Sequence, residues 1–343
     1  MNNTDQKVIF IRVDASYNIG LGHLKRSLEI ALQLKKKNCK PILVLNTNFQ
    51  KDSLPISFDT IVLSSNLNNE FVDLCKQFNC QAVLFDILAD YQAPRDINNL
   101  RLLLKSLMRE KFFTVGIGPY DPVSLPFNIQ INPYRFIDRH GFVSGFDYLV
   151  ISSEIIQSAK NNDCKPKRLL VSFGGSDIHR ATYHTIRMLK KSKVIVEDWD
   201  VDICLGPFFD KEHVNLIKEI AKDIPNFDLI SGGELHSKMH QYQFGVISGG
   251  LTKFECAYLG IPVAIVSQSD DEKDRAIEYS KKGAAHYLCS ISNLSQDSSY
   301  FAHEIESIIQ NSKQLIHMKH KGQVLVDGLG SERIAKLIVN AGL

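Results

Sequence analysis

The chain has 343 residues, 44% hydrophobic and 23% charged, which is ordinary for a globular protein with room for two hydrophobic cores. A formal net charge of +2 and a basic run confined to 165–168 favour a solvated linker over a nucleic-acid surface, so no nucleic-acid partner is expected. The seven cysteines are scattered and lack metal-ligand spacing, which predicts a reduced protein without a metal site. No apolar stretch reaches membrane-spanning length, which predicts a cytoplasmic protein with no integral membrane segment. No cofactor is expected.

The first half of the chain alternates short apolar runs with amphipathic stretches. Strand and helix in regular alternation predict a parallel sheet covered on both faces. The irregular stretch 120–146 contains three prolines and is expected to hold short edge elements. The predicted strands are Val8–Val13, Ile42–Leu45, Thr60–Leu63, Ala82–Phe85 and Phe113–Ile117, and the predicted helices are Leu21–Lys36, Glu70–Phe78 and Ile97–Met108.

The segment 11–26 is the most informative part of the chain. A strand ends at Asp14, Gly20 and Gly22 bracket a turn, and His23 stands where an amphipathic helix begins. Glycines at such a turn let the backbone approach a ligand closely, and the N–H groups at a helix start favour anions. An imidazole side chain can accept and donate protons near neutral pH. The segment therefore predicts a catalytic loop facing a phosphorylated or sugar-like ligand. The structural alternative is a histidine that only satisfies the helix start.

Two aspartates end predicted strands. Asp14 either orients His23 or a nearby water, or it only braces its turn. Asp86 follows the strand Ala82–Phe85, so it lies at the edge of the parallel sheet where ligands bind. A buried brace for neighbouring loops is the alternative for Asp86.

After a polar segment at 158–168 the same pattern begins again. The two halves predict two Rossmann-like α/β domains facing one another across a cleft, at 1–157 and 166–328. A helix within 329–343 is expected to pack back across the linker. The predicted strands are Leu169–Phe173, Val201–Leu205, Phe227–Ile230, Phe244–Ile247 and Val263–Val266, and the predicted helices include His179–Lys191 and Glu332–Val339.

Two glycine turns follow strands of the second half. At the first, the backbone of Gly174 and Gly175 with the Ser176 hydroxyl is suited to a phosphate, and the alternative is a tight turn with Asp177 capping the helix. The second lies in 248–255. Neither turn has the dinucleotide glycine fingerprint or a P-loop lysine, which disfavours nicotinamide cofactors and ATP hydrolysis.

The second turn, at Gly249 and Gly250, opens a helix that carries Glu255 in its first two turns. An open helix N-terminus suits a diphosphate, and an ionised carboxylate can accept both hydroxyls of a ribose. The alternative is that Glu255 only complements the helix dipole.

These motifs resemble those of the PseG/SpsG-like family. The family includes the UDP-2,4-diacetamido-2,4,6-trideoxy-β-L-altropyranose hydrolase of pseudaminic acid biosynthesis and spore-coat polysaccharide proteins. Its motifs look like Arg12-Val-Asp14-Ala-Ser16…Ile19-Gly20-Leu-Gly22-His23…Arg26, Ser172-Phe173-Gly174-Gly175-Ser176-Asp177 and Ser248-Gly249-Gly250…Glu255…Leu259-Gly260-Ile261-Pro262. The third motif also resembles the UDP-binding domain of MurG, the glycosyltransferase that adds GlcNAc to lipid I. The resemblance spans nearly the whole chain and implies a GT-B architecture.

The resemblance implies a metal-independent hydrolase that cleaves the anomeric C–O bond of a nucleotide sugar with inversion. UDP and a free (di)acetamido-deoxy sugar would be released, in nonulosonic (pseudaminic-type) acid or surface polysaccharide biosynthesis. His23 would be the general base that activates water, with Asp14 and Ser16 shaping its surroundings.

The same resemblance assigns the UDP-sugar substrate to the second domain. Gly250, Leu251 and Thr252 would lie near the diphosphate and Glu255 on the ribose. Uridine follows from the resemblance alone, since Glu255 suits any ribose.

The chain departs from the family pattern at three positions where the sugar would lie. Asp86-Ile-Leu88 stands where the family usually has Asp-x-Tyr, with Tyr91 further along as a candidate substitute. Gly116-Ile-Gly118-Pro119 replaces an acidic pair, and Asp271-Glu272 replaces Asn-Gln. The identity of the sugar, or of an acceptor, is therefore open.

Two other functions stay open. In an inverting GT-B glycosyltransferase, His23 would deprotonate a sugar or lipid acceptor instead of water. In a non-catalytic protein that binds nucleotide sugars as part of a larger complex, His23 would be dispensable. The sequence leaves open the oligomeric state and a peripheral membrane contact.

Overall fold

A computed structural model describes residues 6–14, 22–45, 57–63, 68–87, 94–118, 125–134, 136–138, 140–161, 167–222, 224 and 226–342, with the backbone alone at 68, 94–96, 271 and 342. Ser16, Gly20 and Tyr91 lie outside these residues. The chain divides into two compact units, one of Met1–Ser152 with Gly328–Leu343 and one of Ser153–Asp327.

The first unit is built on a parallel sheet in the order β3-β2-β1-β4-β5-β6-β7. Successive residues of β1 point to opposite faces, so Ile9 and Ile11 belong to one hydrophobic core and Phe10 to another. The strands are β1 Lys7–Val13, β2 Cys39–Leu45, β3 Thr60–Val62, β4 Cys80–Asp86, β5 Phe113–Ile117, β6 Ile129–Asn132 and β7 Phe142–Ser144, and the helices are α1 Gly22–Lys36, α2 Asn68–Gln77 and α3 Pro94–Arg109.

The second unit repeats this arrangement with a parallel sheet in the order β10-β9-β8-β11-β12-β13. Its strands are β8 Arg168–Ser172, β9 Asp200–Leu205, β10 Phe227–Ser231, β11 Phe244–Ile247, β12 Val263–Ser267 and β13 His286–Ser290. Its helices are α4 Ser153–Ser158, α5 Ala181–Leu189, α6 Lys193–Asp198, α7 Lys211–Ala221, α8 Leu235–Lys238, α9 Thr252–Leu259, α10 Asp270–Ser280, α11 Ile291–Gln296, α12 Ser298–Gln310 and α13 Ser312–Leu325.

The prediction of two parallel-sheet α/β domains is confirmed. Two details differ from the sequence-based expectation. Helix α4 packs against α8 and so belongs to the second unit, although residues up to 157 were assigned to the first domain. Helix α5 begins at Ala181 instead of His179, because Asp177 and Arg180 have positive φ angles. The irregular stretch 120–146 holds the short strands β6 and β7 at one edge of the first sheet, as the sequence predicts. Within the described residues, no helix is both long and apolar enough to cross a membrane.

The last helix, α14 (Gly330–Gly342), returns to the first unit and packs on α1. Its first residue lies directly against the backbone that follows a 3-10 turn at Phe146–Tyr148. A Cβ on Gly330 would stand 2.0 Å from the Leu149 carbonyl oxygen. Arg333, one turn further on, donates to the Asp147 carbonyl at 3.0 Å. Only glycine permits this approach of the two backbones.

Replacing Gly330 by Ala is expected to lower the stability of the first unit by about 1–3 kcal/mol, because the added methyl group overlaps backbone that no rotamer change can move. Gly233→Ala is the matched control, since its added Cβ meets only the Ser231 hydroxyl at 3.8 Å. Thermal unfolding followed by circular dichroism measures both, and equal unfolding temperatures would contradict this packing.

Candidate functional site

The first candidate site lies where the strand order of the first sheet reverses, between β1 and β4. In parallel α/β sheets, ligands bind beyond the carboxyl ends of the strands at such a point. Val13 pairs with Asp86 across the two strands, and the next amide, that of Asp14, donates to the Asp86 carbonyl at 3.4 Å. The loop after β1 and the end of β4 are therefore adjacent.

The carboxylate of Asp86 is the centre of this site and is fully buried. Its Oδ1 lies 2.6 Å from Nδ1 of His23. Its Oδ2 accepts from Nε of Arg26 at 2.8 Å and from the Ser27 hydroxyl at 3.1 Å, and Arg26 also donates to Oδ1. Residues three and four apart share one face of a helix, so α1 directs all three side chains at one carboxylate.

The surroundings of Asp86 fix its charge and the tautomer of His23. Burial alone would raise the pKa of Asp86, but the charge and hydrogen bonds of Arg26, with those of His23, outweigh burial and lower it. An ionised carboxylate only accepts hydrogen bonds, so Nδ1 of His23 carries the hydrogen and donates it. Arg26 Nη2 lies 3.2 Å from Nδ1, with both donors directed at Oδ1. The lone pair of the neutral ring therefore lies on Nε2.

Two further side chains of the first candidate site, those of Asp14 and Tyr134, each pair with an arginine. The carboxylate of Asp14 pairs with Arg12 at 2.7 Å, so Asp86, not Asp14, orients His23. Arg26 also donates to the Tyr134 hydroxyl. Arg26 belongs to the opening motif and lies one turn after His23. Its pairing with Asp86 could not be predicted from the motif, because that pairing depends on where β4 places Asp86. Tyr134 is 108 residues away from Arg26, and no local signal links the two.

The second unit places its two glycine turns at the corresponding reversal, between β8 and β11. The Ser248 amide donates to the Ser172 carbonyl at 3.1 Å, just as the Asp14 amide bonds to Asp86. Gly174 has a φ of 81°. A Cβ on Gly206, at the end of β9, would stand 2.3 Å from the Gly174 carbonyl oxygen. The first turn therefore requires this glycine as well, although no local sequence signal marks it.

The first glycine turn leads into α5. The carboxylate of Asp177 accepts from the Ala181 amide at 2.7 Å and the Thr182 amide at 2.8 Å, so it caps the helix as one sequence interpretation proposed. Gly174, Gly175 and Ser176 are exposed, and Asp177 is buried beneath them. The exposed turn is the part that a ligand can reach.

The second glycine turn leads into α9, whose first N–H groups have no acceptor within the helix. Gly250 and Leu251 are exposed and Thr252 is half-buried at this helix start. Glu255 lies one turn further on, with its Oε1 3.3 Å from Nε2 of His236. The structure thus brings the predicted diphosphate-binding and ribose-binding residues together on one short helix.

Lys253 is a buried lysine beneath this turn, and its position in the sequence does not mark it as a site residue. Its side chain is 5% exposed, and its Nζ donates to the Gly249 carbonyl. The ammonium lies 4.7 Å and 5.6 Å from the ring centroids of Phe254 and Tyr279. Burial, and then the charge of Arg275, lower its pKa to about 8.

Glu272 supports the same turn from α10. Its Oε2 accepts from the Gln268 amide at 2.5 Å, and a Cβ on Gly249 would stand 2.7 Å from its Cγ. Of Asp271, the other half of the predicted pair, the structure describes the backbone alone. Within the described ranges, no three His, Cys, Asp or Glu side chains are grouped as a metal site requires.

Asp86→Asn is expected to lower the free energy of unfolding by about 3–5 kcal/mol at pH 7, because the charge of Arg26, whose side chain is only 9% exposed, then loses its buried carboxylate partner. The folded pKa of Asp86 is lowered, so its stabilisation is complete above the unfolded value of about 4 and is lost as the pH falls through the folded value. The difference in unfolding free energy between Asp86→Asn and the wild type should therefore decrease at low pH. Urea titrations at pH 7 and at low pH measure it.

Asp14→Asn is the control for this prediction, since it removes a partly exposed ion pair and is expected to lose less than about 1 kcal/mol. Equal losses for the two variants would show that Asp86 has no special electrostatic role.

Lys253→Met is expected to flatten the dependence of stability on alkaline pH. Between the folded pKa of about 8 and the ordinary value of 10.5, the unfolded chain holds a proton on Lys253 that the folded chain does not. Stability due to this group therefore rises with pH across that window. Thermal unfolding between pH 7 and 10.5 measures the slope. Lys25→Met, on an exposed position of α1, should keep the wild-type slope, and the same slope in Lys253→Met would refute the argument.

No protein family model matches the chain. It is 24% identical over 297 residues to an uncharacterized protein, MJ1062, of Methanocaldococcus jannaschii, a match that covers 82% of this chain but less than two thirds, 60%, of that protein. It is 22% identical to the spore coat polysaccharide biosynthesis protein SpsG of Bacillus subtilis, over 96% of both chains. It is 29% identical to the UDP-2,4-diacetamido-2,4,6-trideoxy-β-L-altropyranose hydrolase of Campylobacter jejuni, over 55% of this chain and 68% of that one.

Solved structures share the fold at low identity. MurG of Acinetobacter baumannii superposes with a TM-score of 0.67 at 15% identity, covering 97% of this chain and 99% of that one. A UDP-GlcNAc 2-epimerase of Neisseria meningitidis bound to UDP-GlcNAc gives 0.65 at 11% identity, covering 97% and 100%. The predicted GT-B fold class is thus confirmed. The two relatives by sequence, SpsG and the hydrolase, confirm the resemblance of this chain to the PseG/SpsG-like family.

Proposed function

We propose that this protein is a nucleotide-sugar enzyme of polysaccharide biosynthesis that hydrolyses a UDP-sugar to UDP and a free (di)acetamido-deoxy sugar. The bond between Nδ1 of His23 and the buried carboxylate of Asp86 carries the proposal. It holds the ring in one tautomer and leaves Nε2 as a proton acceptor, as a general base requires. The names of the SpsG and hydrolase relatives support the substrate class.

In the proposed reaction, a water oxygen attacks the anomeric carbon while Nε2 of His23 takes one of the water protons. The bond between that carbon and the phosphate oxygen breaks, its electron pair leaves with UDP, and the sugar is released with inverted configuration. Asp86 then stabilises the imidazolium of His23 electrostatically. The phosphate is a good leaving group, so positioning of the water supplies much of the acceleration.

The second unit is assigned the nucleotide. The N–H groups at the start of α9, beside Gly250, Leu251 and Thr252, are suited to the charge of the diphosphate. Glu255 is suited to the two ribose hydroxyls, because a carboxylate offers two acceptor oxygens. Gly174, Gly175 and Ser176 form a second exposed turn for a phosphate or sugar group.

His23→Ala is expected to lower turnover roughly 10²–10⁴-fold while UDP binding is unchanged, since the variant loses the base but keeps α9. An NMR time course of UDP-2,4-diacetamido-2,4,6-trideoxy-altrose without acceptor follows the free sugar and its anomeric configuration, and calorimetry follows UDP binding. His303→Ala, which removes an exposed histidine of α12, is the control and should keep wild-type turnover.

Each departure from this result identifies an alternative. Wild-type protein that binds UDP but releases no sugar without an acceptor would favour the glycosyltransferase. Full turnover by His23→Ala would remove His23 as the base. Wild-type protein that binds UDP but turns over neither with nor without acceptors would favour the non-catalytic binding protein.

A further inference from the structure

A histidine of the second unit lies between two carboxylates, one of which is the proposed ribose ligand. His236, on α8, has its Nδ1 3.0 Å from Glu154 Oε2 and its Nε2 3.3 Å from Glu255 Oε1. The side chains of His236 and Glu255 are each 16% exposed, whereas that of Glu154 is 72% exposed. The contact with Glu255 is therefore the sheltered one of the two.

The three side chains come from three separate helices, α4, α8 and α9, so the contact is a tertiary interaction. The closest approach joins Nε2 of His236 to Oε1 of Glu255. A carboxylate has two oxygens with several lone pairs, so Glu255 keeps acceptor capacity for a ligand hydroxyl beside this contact.

We propose that His236 is a positioning residue that holds the carboxylate of Glu255 for the ribose hydroxyls of a bound nucleotide. This inference rests on the proposed function, in which Glu255 is the ribose ligand. A glutamate has three side-chain torsions, and a ligand that must order a free side chain loses affinity. The Nε2 contact orders Glu255 before the ligand arrives.

Glu154 contacts the other ring nitrogen of His236, Nδ1. A neutral imidazole carries one N–H, whereas the doubly protonated ring donates to two carboxylates at once. Glu154 lies at Nδ1 and Glu255 at Nε2, so each ring nitrogen of His236 faces a carboxylate oxygen. The charged neighbours on the segment of His236 itself are Glu234 and Lys238, which pair with each other at 3.1 Å.

Two substitutions of His236 separate the two ring nitrogens. The amide nitrogen of Gln stands near the place of Nε2, and that of Asn near the place of Nδ1. His236→Gln therefore keeps a donor for Glu255, and His236→Asn removes it but keeps a polar side chain of similar exposure. The pair is a matched test of the Nε2 contact.

Calorimetric titration of the full chain with UDP tests the proposal. Glu255→Gln and His236→Asn are expected to weaken UDP binding roughly tenfold and severalfold, and His236→Gln to stay within about threefold of the wild type. The double variant His236→Asn, Glu255→Gln should bind no more weakly than Glu255→Gln alone, because the histidine acts through the glutamate. 2′,3′-Dideoxy-UDP, which lacks both hydroxyls, should bind the wild type and His236→Asn equally.

Three outcomes would overturn the inference while the proposed function stands. They are unchanged UDP affinity in His236→Asn, full additivity in the double variant, and an equal loss for UDP and dideoxy-UDP. Circular dichroism of each variant checks its folding. Wild-type protein that does not bind UDP would instead overturn the proposed function, and the inference with it.

Discussion

The parallel pairing of the first and fourth strands is the constraint on which both candidate sites depend. In the first unit it sets Val13 beside Asp86 and so brings together residues that are 63 positions apart, His23 and Asp86. In the second unit the pairing of Ile247 with Ser172 brings the two glycine turns side by side. One topological rule, the reversal of strand order at this pair, thus creates a polar site in each sheet.

The buried Asp86 shows how stability and chemistry are coupled in the first unit. A carboxylate removed from water is unfavourable unless donors surround it, and here they come from one face of α1. The same donors keep Asp86 ionised, and the ionised carboxylate fixes the tautomer of His23. The hydrogen bonds that offset the free-energy cost of burying Asp86 are therefore the same ones that orient His23.

The sequence could predict what depends on local pattern, and little that depends on tertiary contact. Alternating apolar runs predicted the two α/β units, and glycines after strands marked the turns. The contact of His23 with Asp86 depends on strand order, which hydrophobic periodicity does not contain. The need for glycine at 206 arises from the backbone of residues 174 and 175, on another strand's loop. In the sequence Lys253 is an ordinary polar residue near a helix start, and its burial results from tertiary packing.

The carboxylate of Glu272 compensates part of the electrostatic cost of burying Lys253. Lys253 loses hydration through burial and is repelled by Arg275, and both effects lower its pKa. Glu272 acts in the opposite direction, because its negative charge favours the ammonium form. An amide at 272 keeps the acceptor for the Gln268 amide but not the charge. Glu272 and Lys253 therefore form one electrostatic unit around Gly249, whose carbonyl binds the lysine and whose missing Cβ makes room for the glutamate.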